Sequence, residues 1–215
     1  MRGNDRTGTL AGWLARVGFD DPGRAVRLLE GGVLEPAVAQ AAAEHVGLVR
    51  ELGDTADPDL ALLSLVRIVE AVDEAARERF VERLVGDVGL RLRLLSVLGS
   101  SEALGNWLVA HPGDVELLGL RDDPLAAEPA QVRAELLSSV GADPEAPVPV
   151  AAEGGSAGLD AMRRAYRRRL MRIAATDLTR EDPLSVLPGV GAALADLAAA
   201  ALETALALAR AETPD

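Results

Sequence analysis

The chain has 215 residues, 22 basic against 34 acidic for a net charge of −12, and every basic residue is Arg. An acidic surface works against phosphate neutralisation, so nucleic acid is not expected as a ligand. Cys is absent, which removes disulfides, thiolate chemistry and cysteine-ligated zinc together, and the two His, His45 and His111, stand too far apart for a helical metal pair, so no metal site is expected.

At 49% hydrophobic residues the chain can bury a core, and its length suits one domain or two small ones. The start, MRGNDRTGTLAGW, has no apolar run of signal-peptide length. No segment reads as the ~20 uncharged apolar residues of a membrane span, so a cytoplasmic chain that meets no membrane is expected. Apolar residues recur at spacings of three and four almost throughout, and no stretch pairs β-branched alternation with hairpin turns; an all-α helical bundle is the expected fold class.

Asp21-Pro22 opens the first clear helix, a capping side chain followed by proline at the first helical position, and Gly31-Gly32 closes it. Asp57-Pro58 repeats the device. Leu60, Leu63, Val66, Ile68 and Val69 then form a strongly apolar helix, and Phe80, Leu84 and Val88 carry the pattern past the charged stretch 73–82, as a core-forming hairpin or two consecutive helices. The run Leu92–Leu98 is expected to end at Gly99, with Ser100 or Ser101 capping a segment that carries Ala103, Leu104, Trp107 and Leu108. His111-Pro112-Gly113 stops that segment.

Residues 111–160 hold 10 acidic and 2 basic residues, and 142–158 is rich in Pro and Gly. This places a helical region at 1–141, an acidic linker at 142–158, and two long helices at 159–215. The first of the two carries Leu159, Met162, Tyr166, Leu170 and Ile173 on one face and runs to about Asp177. Pro183 and Pro188-Gly189 are expected to interrupt the chain. The last helix, over 191–211, presents Leu194, Leu197, Ala201, Ala205 and Leu208 for antiparallel packing.

Chemistry-bearing patterns are sparse. Arg163, Arg164, Arg167, Arg168 and Arg172 can hold phosphate oxygens or an acidic partner, because guanidinium groups pair with such anions in bidentate fashion. The same residues also read as a solvated helix face that balances the acidic segment before it. Leu98-Gly99-Ser100, followed at a distance by Asp114-Val115-Glu116, matches a nucleotidyltransferase in outline: a Gly-Ser turn for phosphates and two carboxylates for a divalent cation. That pair shares a face only on an extended strand, and 114–118 reads as helical, so a capped turn and an exposed acidic pair are expected instead. Asp57-Pro58-Asp59 is explained by its helix start. Neither His has a partner placed by motif, and without Lys there is no phosphate loop, so no catalytic residue is assigned.

The stretch Leu94–Leu118, LLSVLGSSEALGNWLVAHPGDVELL, resembles a segment of the bifunctional glutamine synthetase adenylyltransferase/adenylyl-removing enzymes. Leu159–Leu178, LDAMRRAYRRRLMRIAATDL, is similar to a second and more specific helix of that family, and WLARVGFDDPGRAVRLL looks like the start of its actinobacterial members. The resemblance spans essentially the whole chain. It implies the helical front of the adenylyl-removing half of a multifunctional nucleotidyltransferase. One half of such an enzyme attaches AMP from ATP to a tyrosine of glutamine synthetase, and the other removes it by phosphorolysis, releasing ADP.

Magnesium and ATP/ADP would be cofactors of the parent enzyme, with none expected in this chain. The implied partners are glutamine synthetase and a nitrogen-signalling regulatory protein. In the family the catalytic strand and its Asp-x-Asp pair follow the counterpart of Ala201–Glu212, where this sequence ends, so the expectation is a fragment that does not turn over alone. The alternative is a non-catalytic helical protein-interaction module. A scaffold of the first kind should expose the apolar face that meets its missing neighbour.

Overall fold

A computed structural model describes residues 10–30, Leu34 and 47–213; the expected stop at Gly31-Gly32 and His45 lie outside the described residues. Among the described residues there are helices and no strand, as the periodicity predicts. Two compact units divide the chain, 1–120 and 121–215.

The first unit contains α1 (Leu10–Arg16), α2 (Pro22–Leu29), α3 (Leu48–Gly53), α4 (Pro58–Glu70), α5 (Glu74–Gly86), α6 (Val88–Ser100), α7 (Glu102–Ala110) and a 3-10 helix, Pro112–Gly119. One device starts most of them. The carboxylates of Asp21, Asp57, Asp73 and Asp87 accept the backbone N–H three residues on, from Arg24, Leu60, Ala76 and Leu90, at 2.8 to 3.0 Å. Such a cap stabilises a helix by roughly 0.5–2 kcal/mol. Ser101 caps α7 in the same way, accepting from the N–H of Leu104.

The core of this unit is built around α4, whose Ala61, Leu62, Leu65, Val66, Ile68 and Val69 are buried. It packs on α6, through Leu90, Leu94, Leu95, Val97 and Leu98, and on α7, through Leu104 and Leu108. Gly99 is not a stop, contrary to expectation, because α6 continues through it to Ser100. A Cβ on Gly99 would stand 2.7 Å from the Cβ of Thr55, so the glycine lets α6 approach the turn before α4.

The second unit contains a short 3-10 turn, Pro124–Ala126, then α8 (Pro129–Ser139), α9 (Gly155–Leu178) and α10 (Pro183–Glu212). Val132, Leu136, Ile173, Val190, Ala193, Leu197 and Ala200 form one core cluster, and Leu137, Val140, Ala142, Ala151, Ala207 and Leu208 a second. The segment 142–158, expected to be a linker, lies inside this unit. Its start completes the end of α8: Gly141, at φ 69°, and Ala142 donate to the carbonyls of Ser138 and Leu137. Further along, Ala151 donates to the Ala207 carbonyl, and Gly155–Gly158 already belong to α9. Pro and Gly here shape a packed loop, so the boundary falls at Leu120 and not at Gly141.

Two expectations for the last helix are also corrected. Asp182-Pro183 starts it, since the Asp182 carboxylate accepts from the N–H groups of Leu184 and Ser185, and α10 then runs through Pro188. Proline removes one bond near the N-terminal end, to a carbonyl on the exposed Leu184, where water can satisfy it. The inward face is Val190, Ala193, Leu197, Ala200, Thr204, Ala207 and Leu208; Leu194 and Ala205, expected inside, are exposed. α10 is moreover long and apolar enough, by length and composition, to cross a membrane, although the sequence reading found no such segment. It carries Asp196 and Glu203 within that length.

Candidate functional site

The Arg-rich helix α9 is the candidate site that the sequence marks, and its burial pattern sorts the arginines. Gly158, Arg169, Met171, Ile173 and Ala175 are buried, while Met162, Tyr166 and Leu170 are half-buried against the first core cluster or its neighbour. Arg163, Arg164 and Arg168 are exposed and Arg167 is half-buried. Arg163 pairs with Asp160 one turn back at 3.3 Å. Arg172 is turned to the start of the unit, donating to the Asp122 carboxylate at 2.6 Å and to its carbonyl at 3.3 Å. That guanidinium holds the Asp122 carboxyl below its ordinary range. Of the five arginines marked in the sequence, Arg172 is thus tied to a neighbouring segment, and Arg163, Arg164 and Arg168 share the exposed side of the helix.

Arg169, the remaining arginine of the run 163–172, is not among the residues that the sequence marks as inward-facing. Its guanidinium is buried, donating to the Pro124 carbonyl at 2.9 Å and facing Glu135 at 3.5 Å. A signal for it existed, because Met162, Tyr166, Arg169 and Ile173 follow one another at spacings of four, three and four, on the stripe that turns inward. The pair Arg133 and Glu203 was also passed over. Arg133 donates to both Glu203 oxygens, at 2.7 and 2.6 Å, and to the Pro144 carbonyl, joining α8, α10 and the loop between α8 and α9.

The outline match to a nucleotidyltransferase turn comes apart in space. Asp114 is buried and accepts the Trp107 indole N–H at 3.0 Å, while Glu116 is exposed and paired with Arg83 at 3.0 Å. Both lie on the 3-10 helix, where residues two apart point in different directions. His111 closes α7, its ring stacked on Trp107 with centroids 3.8 Å apart. Among the described residues no group of three or more His, Asp or Glu stands where it could hold a metal ion. Asp114 and Glu116, with different partners and different directions, do not form the carboxylate pair for a divalent cation that the spacing suggests in outline.

Fold and site together define an all-helical chain of two units, the second of which carries an arginine-bearing face on its helix α9. No family model matches the chain, and no solved structure matches it. Over 204 residues, 93% of its length, it is 41% identical to a bifunctional glutamine synthetase adenylyltransferase/adenylyl-removing enzyme from Bifidobacterium longum subsp. infantis. It is also 41% identical over 203 residues to the enzyme of that name from Streptomyces avermitilis, and 34% identical over 202 residues to that from Cutibacterium acnes. The chain spans only about a fifth of the length of these relatives, 18% in the first two and 20% in the third. It is therefore homologous to one part of the bifunctional glutamine synthetase adenylyltransferase/adenylyl-removing enzymes of actinobacteria.

Proposed function

We propose that this chain serves as the N-terminal helical part of a nucleotidyltransferase that regulates glutamine synthetase. In this reading the whole enzyme adenylylates a tyrosine of glutamine synthetase from ATP and removes the AMP by phosphorolysis, in the cytoplasm. The chain contributes scaffold and partner contact and not the reacting groups. The observation that carries the reading is the alignment of 93% of the chain with 18% of an enzyme of that name.

Magnesium and the nucleotide then belong to the remaining part of the parent enzyme. Glutamine synthetase is the first partner and a nitrogen-signalling regulatory protein the second. The exposed Arg163, Arg164 and Arg168 suit an anionic group on such a partner, because guanidinium forks hold carboxylate and phosphate alike. In the test, purified chain is incubated with adenylylated glutamine synthetase, magnesium and inorganic phosphate, and ADP is measured. No ADP above the protein-free control is expected; release of ADP in proportion to the chain would overturn the non-catalytic assignment.

A second reading, a non-catalytic helical interaction module, draws support from internal completeness: among the described residues no buried side-chain N or O lacks a hydrogen-bond partner. It differs in requiring no further polypeptide. It would be preferred if the chain bound glutamine synthetase and replacing the matched stretch of a full-length relative with it gave an inactive enzyme.

A further inference from the structure

The side of α10 turned away from its own core is apolar from Leu184 to Ala209. Leu184, Leu187, Leu194, Leu202 and Leu206 are 79, 60, 40, 74 and 49% exposed. At about 100° per residue they fall, with Gly191, Ala195, Ala198, Ala205 and Ala209, in one sector roughly 120° wide. The charged groups of the helix body lie elsewhere. Asp196, Glu203 and Arg210 are all half-buried on another flank, where Glu203 meets Arg133 and Arg210 donates to the Pro149 carbonyl. Scattered surface leucines need no explanation, but a charge-free stripe about 33 Å long does.

We propose that this stripe is a docking face for an apolar surface on polypeptide that the longer relatives carry outside the stretch matched here. The proposal rests on the functional reading above, in which the chain works as one part of a larger enzyme. Three observations select this occupant. More than four fifths of the Bifidobacterium relative lies outside the match, since the chain covers 18% of it. A stripe about 33 Å by 10 Å offers roughly 300 Å² per side, well under the ~800 Å² per partner of a free-standing complex. A covalently continuous partner needs less, because it forgoes most of the association entropy.

Charge argues against a lipid surface. At the ends of the stripe stand Glu181, Asp182 and Glu212. The two nearby cations are engaged, Arg180 by the Asp123 carboxylate and Arg210 by the Pro149 carbonyl, whereas helices that lie on anionic membranes carry Lys or Arg directed to the lipid there. The same area argues against a second copy of the chain.

The test replaces the matched stretch of the Streptomyces avermitilis relative with this chain and follows amide hydrogen exchange of 183–212, in the full-length chimera and in the 215-residue chain. Exchange along α10 is expected to be at least tenfold slower in the chimera, and Leu187→Glu with Leu202→Glu to abolish that difference while leaving the isolated chain's helicity unchanged. Leu187→Met with Leu202→Met should retain it. Equal exchange in the unsubstituted chimera and the isolated chain overturns the proposal. So does a dimer of the isolated chain that the Glu variant dissociates, or co-sedimentation with anionic phosphatidylglycerol vesicles that the variant abolishes. A chimera that protects α10 but leaves glutamine synthetase adenylylated would sink the functional reading and not the docking face.

Discussion

Arg91 shows how a charge that the sequence gives no means of placing becomes part of a core. It is 8% exposed and donates to both carboxylate oxygens of Glu51, itself buried, and to the carbonyls of Leu84 and Val85 near the end of α5. Desolvating two ions costs several kcal/mol each, and their attraction together with the two carbonyl bonds offsets that only while both partners are present. Glu51→Ala is therefore expected to lower the unfolding free energy by about 3–5 kcal/mol, read from urea denaturation, with Glu51→Leu plus Arg91→Met losing clearly less. Equal losses in the two variants would show that the pair's charges are not what matters. Forty positions separate these residues, and each sits among other charged and apolar side chains, so no local pattern pairs them. Gly99 was hidden for a similar reason: its close approach to Thr55 is a tertiary fact, and in sequence a glycine after an apolar run reads as a stop.

Helix starts were legible because their chemistry is local. Asp-Pro at 21–22, 57–58 and 182–183 caps and opens a helix each time, although at the third the sequence reading took the proline for a break. Ends and partners were less legible, since the loop 142–158 draws its order from α8 and α10 and not from its own composition. The Arg133–Glu203 pair ties those two helices together, and the Arg133 guanidinium holds the Glu203 carboxyl below its ordinary range, chiefly by hydrogen bonding. A carboxylate with a depressed folded pKa adds stability that is present above its unfolded value and is lost as the pH falls through the folded one. Glu203→Gln should thus lower the melting temperature at neutral pH, with the deficit closing as acid protonates Glu203 in the parent chain. A deficit independent of pH would mean that the residue acts through packing alone.

At the scale of the molecule, a net charge of −12 coexists with an exposed cationic strip at Arg163, Arg164 and Arg168. Long-range attraction to an acidic partner is unfavourable overall, so the strip can act only at contact range, within a Debye length of about 8–10 Å at ordinary salt. Which arginines remain outward was only partly legible, because helical spacing separates the buried Arg169 from its neighbours but does not reveal that Arg172 is held by Asp122. If the strip meets an anionic surface of glutamine synthetase, Arg164→Glu with Arg168→Glu removes two favourable contacts and creates two unfavourable ones. At about 0.2–1 kcal/mol for each exposed charge contact, the dissociation constant should rise between roughly fourfold and several hundredfold. The salt dependence of binding should fall with it. Calorimetric titration of glutamine synthetase with both proteins at two ionic strengths reads the two effects together. An unchanged constant and an unchanged salt slope would return these arginines to a solvated face whose charge only offsets the acidic residues around it.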